Sequence, residues 1–455
     1  MADLTLDTRS RGAGRPTPAP GPGGSAWRNL LRYLRDPLGT MESLAREYGD
    51  VAYVPFPQGH SFYFVCDPAL IRRMLVEDQA VFVKGRALQA AKRLLGEGLL
   101  TSEGADHLRR RRVIAPIFGR DRVAGYGQAM VDAAERTSAR WQDGAVLDVN
   151  GEMTAFALAV VGRTIFDADV ESEAPEVRAV LEAGMRVFHR FLMPGGELLW
   201  QVPLPATRRF NVAKRDIDAY IEGLIAERAV TGADGPGLLD HLLSLRAEDG
   251  SQLLSDAEIR DEAITLMLAG HETTAQALTW TWHLLAANPQ PAAELRAELA
   301  RVLDGRPPSA EDFDRLPYTQ AVFRESLRLY PPVWALARIA TQPYQLGEYT
   351  VPEGGTFVMS QWVVHRDGRY HPDPLVFRPE RWLSGEPPVA GAYFPFAAGT
   401  RMCVGERFAL LEGTLALAAI ARTWRVTPLE HEPRVDARFT LRPHGGLPAR
   451  VERVG

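Results

Sequence analysis

At 455 residues the chain is longer than one ordinary domain, yet no linker divides it after residue 25, and a hydrophobic content of 46% can fill one large core. A net charge of −5 and a pI of about 6.1 exclude a general nucleic-acid binder, which carries a basic footprint. Two cysteines, Cys66 and Cys403, are too few for a disulfide framework, and no run of ~18 apolar residues is available to span a membrane.

Residues 1–25 contain Arg9, Arg11, Arg15 and a Pro/Gly-rich stretch with no apolar segment suited to a secretory signal. A disordered lead-in is expected there, then a single domain over 26–455 with a cytoplasmic location. Trp27-Arg-Asn-Leu-Leu-Arg-Tyr-Leu34 has the spacing of a short amphipathic helix, a pattern that also suits a membrane surface. A helix follows at 37–48, then paired strands at 51–55 and 61–66; Cys66, inside an apolar run, reads as strand core. Asp67-Pro-Ala-Leu opens another helix with an acidic cap and an early proline. Residues 79–102 lack a clear period and are expected to be irregular, covering something. An arginine-rich helix is predicted at 105–118, and further helices at 122–141, 152–166, 176–191 and 207–230. An apolar connector, 193–205, separates the last two. Residues 255–287 read as one helix ~50 Å long, stopped by Asn288-Pro289. Helices at 291–303 and 318–330, short strands within 344–359, a glycine-framed loop at Cys403, a helix from 406 to about 422 and a hairpin-like tail complete the chain. The predicted fold is mainly α with a small β subdomain around a long central helix.

Cys403 lies in Phe396-Ala-Ala-Gly399-Thr-Arg401-Met-Cys403-Val-Gly405, directly before a predicted helix. Unpaired N–H groups at a helix start favour an anion, and thiolate is the form of cysteine that binds metal. Gly399 and Gly405 permit tight turns and close approach to a flat ligand, and Arg401 offers a fork for carboxylates. A buried structural cysteine is the plainer alternative. The long helix carries Ala269-Gly270-His271-Glu272-Thr273-Thr274 at its middle. Glycine costs ~1 kcal/mol there relative to alanine, so room for a ligand beside Ala269 and Gly270 is one reason for it. The Thr273 hydroxyl can bond the Ala269 carbonyl four residues back, and a carboxylate beside it can relay protons. A buried helix with a polar kink is the alternative. Ala275 stands where a zinc-protease motif needs a second histidine, which excludes that chemistry. Glu325 and Arg328 share a helix face, as do His107 and Arg111, whose plain reading is a solvated arginine face.

Segment 396–405 resembles the haem-binding loop Phe-x-x-Gly-x-Arg-x-Cys-x-Gly of the cytochrome P450 family at every fixed position, and the order of motifs across roughly 30–450 is similar too. The resemblance implies the cytochrome P450 fold, with haem b (iron protoporphyrin IX) beneath the long helix and Cys403 as axial thiolate. It implies that Phe396, Gly399, Gly405, Ala269 and Gly270 border the cofactor, that His107, Arg111, Arg338 and Arg401 donate to its propionates, and that Glu272 and Thr273 guide protons. Glu325, Arg328 and the Arg381 of Phe377-Arg-Pro-Glu-Arg381-Trp382 would form a buried ion cluster serving folding. The implied reaction is mono-oxygenation of a lipophilic small molecule, such as a terpenoid, fatty acid or polyketide, by dioxygen. The lead-in and the Ala-Gly-His-Glu-Thr-Thr form resemble subgroups that handle fatty acids and terpenes. Electrons would come from a separate ferredoxin or flavodoxin with its reductase, since the chain ends about fifty residues past Cys403. Those of Arg109–Arg112 that do not face the haem would offer a basic docking patch. Expected substrate contacts are residues 88–100, Phe188, Phe191, Leu192, Trp200, Leu266, Ala269, Val333, Trp334 and Leu336. Two rival readings remain: a peroxide-driven member, which usually lacks the acid–alcohol pair, and a non-enzymatic haem-thiolate sensor, which usually carries a signalling module.

Overall fold

The computed structural model describes residues 19–167, 205–232, 235, 237–246, 249–437 and 439–454. Helices of ten or more residues are α1 (Ala26–Arg35), α2 (Pro37–Tyr48), α3 (Arg86–Leu95), α4 (Gly104–Ile114), α5 (Gly127–Ala139), α6 (Val149–Ile165), α7 (Pro205–Thr231), α8 (Asp256–Ala287), α9 (Pro289–Leu303), α10 (Pro317–Leu329) and α11 (Glu406–Ala421). The strands are β1 (Val51–Val54), β2 (Phe62–Val65), β3 (Phe82–Lys84), β4 (Val146–Asp148), β5 (Leu336–Ala340), β6 (Tyr344–Leu346), β7 (Tyr349–Val351), β8 (Thr356–Met359), β9 (Trp424–Pro428), β10 (Val435–Ala437), β11 (Leu441–Pro443) and β12 (Pro448–Arg453).

The 32-residue α8 organises the helical part. Its start is fixed by a capping box, in which Ser255 and Glu258 satisfy each other's backbone N–H groups. Residues 262–268 and 274–285 are buried without interruption, as in a helix surrounded by core. Near its end Trp280 stacks on Tyr330 at 4.2 Å and donates from Nε1 to the Leu441 carbonyl at 3.0 Å. The Thr274 hydroxyl donates to Glu412 Oε2 at 3.0 Å, tying α8 to the equally apolar α11.

The largest sheet runs β1-β2-β8-β5-β3 and is antiparallel except between β2 and β8. Its β3–β5 register places Lys84 opposite Arg338. The smaller sheets are β4-β12-β9, β6-β7 and β10-β11. Cys66, just past β2, is buried core, and burial pushes its thiol up to about 12.

Two expectations change. Residues 79–102 are not irregular but contain β3 and α3, whose Ala91, Leu94 and Leu95 face the core; Gly96, at φ 65°, ends the helix. The predicted helix 122–141 is two, Arg120–Gly125 and α5, interrupted at Tyr126 between two glycines, and Gly127 packs where a Cβ would lie 2.5 Å from Ala310 Cβ. The helix 176–191 and the connector 193–205 lie outside the described residues but for Pro205, as does 1–18 of the lead-in. Within 19–25, Pro20 accepts a hydrogen bond from Tyr53 N at 2.7 Å.

The Glu325 carboxylate is fully buried. It accepts from Arg328 Nη2 at 2.8 Å, Arg381 Nε at 2.9 Å, Trp382 Nε1 at 2.9 Å and Arg378 N at 3.0 Å. The remaining Arg328 donors reach the carbonyls of His365, Pro374 and Val376. Every group in the cluster is partnered, so removing one charge strands the others. Glu325→Gln is expected to cost about 3–5 kcal/mol in chemical denaturation, with cofactor loss at lower denaturant than in the parent chain.

Candidate active site around Cys403

The cysteine loop is held in an unusual backbone course. Ala397 has φ 59°, a left-handed conformation uncommon for a side-chain-bearing residue. Gly399 has φ 71°, and a Cβ there would stand 2.0 Å from the Leu75 carbonyl oxygen, so only glycine fits. Thr400 donates from both N and Oγ1 to Gln79 Oε1 at 2.7 Å. Cys403 N donates to the Phe396 carbonyl at 2.9 Å, and Arg111 Nη1 to the Met402 carbonyl at 2.6 Å. Gly405 is different: a Cβ would come no closer than 3.6 Å to Phe118, so the protein's own packing does not demand glycine.

Cys403 is exposed, yet enough protein surrounds its sulfur that burial pushes the thiol up to about 11. The Gly405 N–H and Arg111 lower the thiol, as expected at a helix start, but burial outweighs them. Thiolate at this position therefore depends on a metal, which deprotonates a coordinating thiol outright.

A second opening lies on α8. Ala269 is exposed and Thr273 half-exposed, between the two buried stretches of the helix. The Thr273 hydroxyl donates to the Ala269 carbonyl at 2.7 Å, as the spacing predicts. Gly270 has another role than making room for a ligand: a Cβ there would meet Val161 Cγ2 at 2.9 Å, so its smallness serves the close packing of α6 on α8. His271 is buried, with Nδ1 2.8 Å from the Met267 carbonyl. Glu272 and Thr273 part company. The Glu272 carboxylate faces β10–β11, where its Oε1 accepts from Thr440 Oγ1 and Arg442 Nη2, each at 2.7 Å, and from Gln276 Nε2 at 3.4 Å. The Arg442 side chain is 34% exposed, so a path to solvent lies beside the acid. Thr440 and Arg442 belong to no sequence motif; only the placement of the tail against α8 singles them out.

The third component is a cluster of basic side chains. Lys84 is buried, opposite Arg338 across the β3–β5 pair, and burial, then Arg401, brings its amine down to about 7. Arg338 is buried and among the described residues donates to one partner, its neighbour's carbonyl at Ala337, and burial and Arg401 lower it to about 10. His107 has the carbonyls of Leu99 and Thr400 at 3.2 and 3.3 Å from its two ring nitrogens, and burial and Arg401 hold it near 4. Arg401 pairs with Glu103 and donates to the Ser102 carbonyl at 2.7 Å. Among the described residues Glu103 is the carboxylate that offsets this charge. Like charges facing each other across a strand pair are unfavourable, and among the described residues Lys84 Nζ has only neutral partners, the carbonyls of Leu99 at 3.2 Å and Leu100. The donor set therefore fits a dianionic ligand, as the two propionates of an iron porphyrin are, and the open Cys403 thiol would hold its metal.

Of the expected propionate donors, Arg338, Arg401 and His107 come together, whereas Arg111 is engaged by the loop carbonyl. Lys84 was not foreseen. The anticipated docking arginines also divide: Arg109 and Arg110 pair with Asp106 and Glu258, and Arg110 also with Glu262, which leaves Arg112 exposed. Among expected substrate contacts, Leu94, Leu95, Leu99 and Leu266 share one hydrophobic cluster, while Trp334 is buried in the sheet-side cluster. Phe188, Phe191, Leu192 and Trp200 lie outside the described residues.

Comparison with known proteins agrees with this geometry. A family model described as cytochrome P450 matches residues 18–447. Cyclooctatin synthase of Streptomyces melanosporofaciens is 37% identical over 430 residues, covering 92% of this chain and 93% of that protein. Pentalenene oxygenase of Streptomyces avermitilis is 36% identical over 420 residues, covering 91% of each. The crystal structure of the cytochrome P450DA heme domain superposes with a TM-score of 0.87 at 26% identity, covering 97% of this chain and 98% of that one.

Glu412, under α8, yields a pH prediction. Burial raises its carboxyl to about 8, against a lowering by the Thr274 hydroxyl. A carboxyl with a raised folded-state pKa keeps its proton where the unfolded chain has lost it, so stability falls as pH rises from the ordinary glutamate range through about 8. Glu412→Gln removes that slope. Thermal unfolding between pH 5 and 8 should show the parent losing more midpoint than the variant.

Proposed function

The chain belongs to the cytochrome P450 family, and we propose that it hydroxylates a terpenoid with electrons from a separate ferredoxin or flavodoxin and its reductase. It is a haem-thiolate mono-oxygenase: a C–H bond, dioxygen, two electrons and two protons give C–OH and water. Haem b, with Cys403 as axial ligand, supplies the activation of dioxygen, and thiolate donation favours O–O cleavage.

The observation that carries the site assignment is the conjunction of an open thiol with a cluster of buried basic side chains. In this reading Arg338, His107, Arg401 and Lys84 hold the propionates. Arg111 and the Phe396 carbonyl fix the cysteine loop, so the sulfur meets the metal without reorganisation. Ala269 leaves space above the cofactor, and Thr273 keeps a hydroxyl oxygen at that space, its proton held on the Ala269 carbonyl. Glu272 holds a proton-relaying carboxylate beside the half-exposed Arg442, and Thr440 and Arg442 fix its orientation. Exposed Met402 and Arg112, beside the cysteine loop, suit an acidic electron donor. The terpenoid substrate rests on the relatives that make cyclooctatin and oxidise pentalenene. No helix among the described residues is long and apolar enough to cross a membrane, which is compatible with a cytoplasmic enzyme.

Turnover of candidate terpenes under isotopically labelled dioxygen tests the reaction. One labelled oxygen should appear in the product, and only with a ferredoxin or flavodoxin system; equal turnover with peroxide alone would contradict the donor assignment. Thr273→Ala should divert electrons to peroxide, lowering product per electron pair by ~10-fold or more. Arg442→Gln should reduce coupling in the same direction with substrate KM unchanged, and Arg442→Lys should restore part of it; unchanged coupling in Arg442→Gln would remove Arg442 from the proton path.

A further inference from the structure

Helix α1 is locked in its roll about its own axis. Asn29 and Leu30 are buried, Asn29 Nδ2 donates to the Pro55 carbonyl at 3.3 Å, and the Tyr33 ring packs 5.6 Å from Phe56 and 6.2 Å from Phe62. That roll leaves three large apolar side chains outside. Trp27 is 59% exposed, Leu31 52% and Leu34 39%. At about 100° per residue these three fall within about 60° of one another, and Arg28, Arg32 and Arg35 within a neighbouring 60°. The helix thus has three sectors: one buried in the protein, one apolar and open, one basic and exposed.

The surrounding acids do not cancel the basic sector. Glu47 lies 3.9 Å from Arg32, the Asp36 side chain caps α2 through Gly39 N, and Glu42 accepts from Trp362 Nε1 at 2.6 Å. Among the described residues Arg28 donates to the Gly23 carbonyl alone and no ion pair involves Arg35. We propose that α1 is an interfacial helix that seats the protein on an anionic lipid surface, with Trp27, Leu31 and Leu34 at the acyl boundary and the arginines among the phosphates. The stripe comprises three side chains on a helix ~15 Å long, well short of the ~800 Å² per partner of a stable protein interface. An apolar strip flanked by arginines, with a tryptophan near one end, is what an interfacial helix presents to headgroups and acyl chains. The proposal is independent of the oxygenase assignment.

The test is co-sedimentation of the haem-loaded full chain with vesicles of phosphatidylcholine alone or mixed with phosphatidylglycerol. The parent should bind the anionic vesicles preferentially and be released by ~1 M salt, which cuts the screening length to about 3 Å. Replacing Trp27→Ser, Leu31→Ser and Leu34→Ser together should weaken binding ~10-fold or more with the ferrous carbon monoxide spectrum unchanged. Arg28→Gln with Arg35→Gln should abolish the preference for anionic over neutral vesicles. Absence of vesicle binding by the parent would overturn the proposal, as would binding unaffected by both sets of changes. So would a concentration-dependent dimer, seen by sedimentation velocity, that the serine set dissolves while no vesicle binding occurs.

Discussion

The structure depends on one sulfur being presented by a backbone that cannot take another course. Gly399 is excluded from carrying a side chain by the Leu75 carbonyl, Ala397 accepts a left-handed conformation, and the Phe396 carbonyl fixes the Cys403 N–H. A loop this constrained holds the ligand atom in place before the metal arrives. Because burial keeps the free thiol protonated, cofactor binding and thiol deprotonation are coupled, and cofactor affinity is to that extent folding energy.

Electrostatics makes the same site incomplete without an anion. Lys84 and Arg338 face each other across β3 and β5 with Arg401 and His107 close by, and Glu103 cannot balance them. The Glu325 cluster is the contrast, since there each buried charge has its counter-charge and its carbonyl partners. One set of buried ions is finished by the chain and stabilises the fold; the other, in the proposed function, would be finished by the cofactor. The buried stretches of the long helix anchor it to α6 and α11, while Ala269 and Thr273 at its middle stay accessible, where the proposed function needs room for substrate and dioxygen.

Much of this was legible in the residues. The cysteine loop, the Thr273–Ala269 hydrogen bond and the Glu325–Arg328–Arg381 cluster are local patterns or fixed spacings, and the structure places them together. What escaped depends on register and packing between distant segments. Lys84 acquires meaning only when β3 pairs with β5, and Arg442 only when the tail folds across α8. Gly270 looked like space for a ligand because sequence cannot tell which side of a buried helix is crowded, and Val161 is the crowding neighbour. A short helix at 86–95 was hidden because its strong apolar positions crowd at its C-terminal end.

The claim that Cys403 binds haem iron as thiolate is tested most directly by the carbon monoxide spectrum of the reduced protein. The account predicts the long-wavelength band of thiolate ligation in the parent, at one haem per chain, and its replacement by the shorter-wavelength band of a neutral ligand, or loss of haem, in Cys403→Ser. An unchanged long-wavelength band in Cys403→Ser would contradict it.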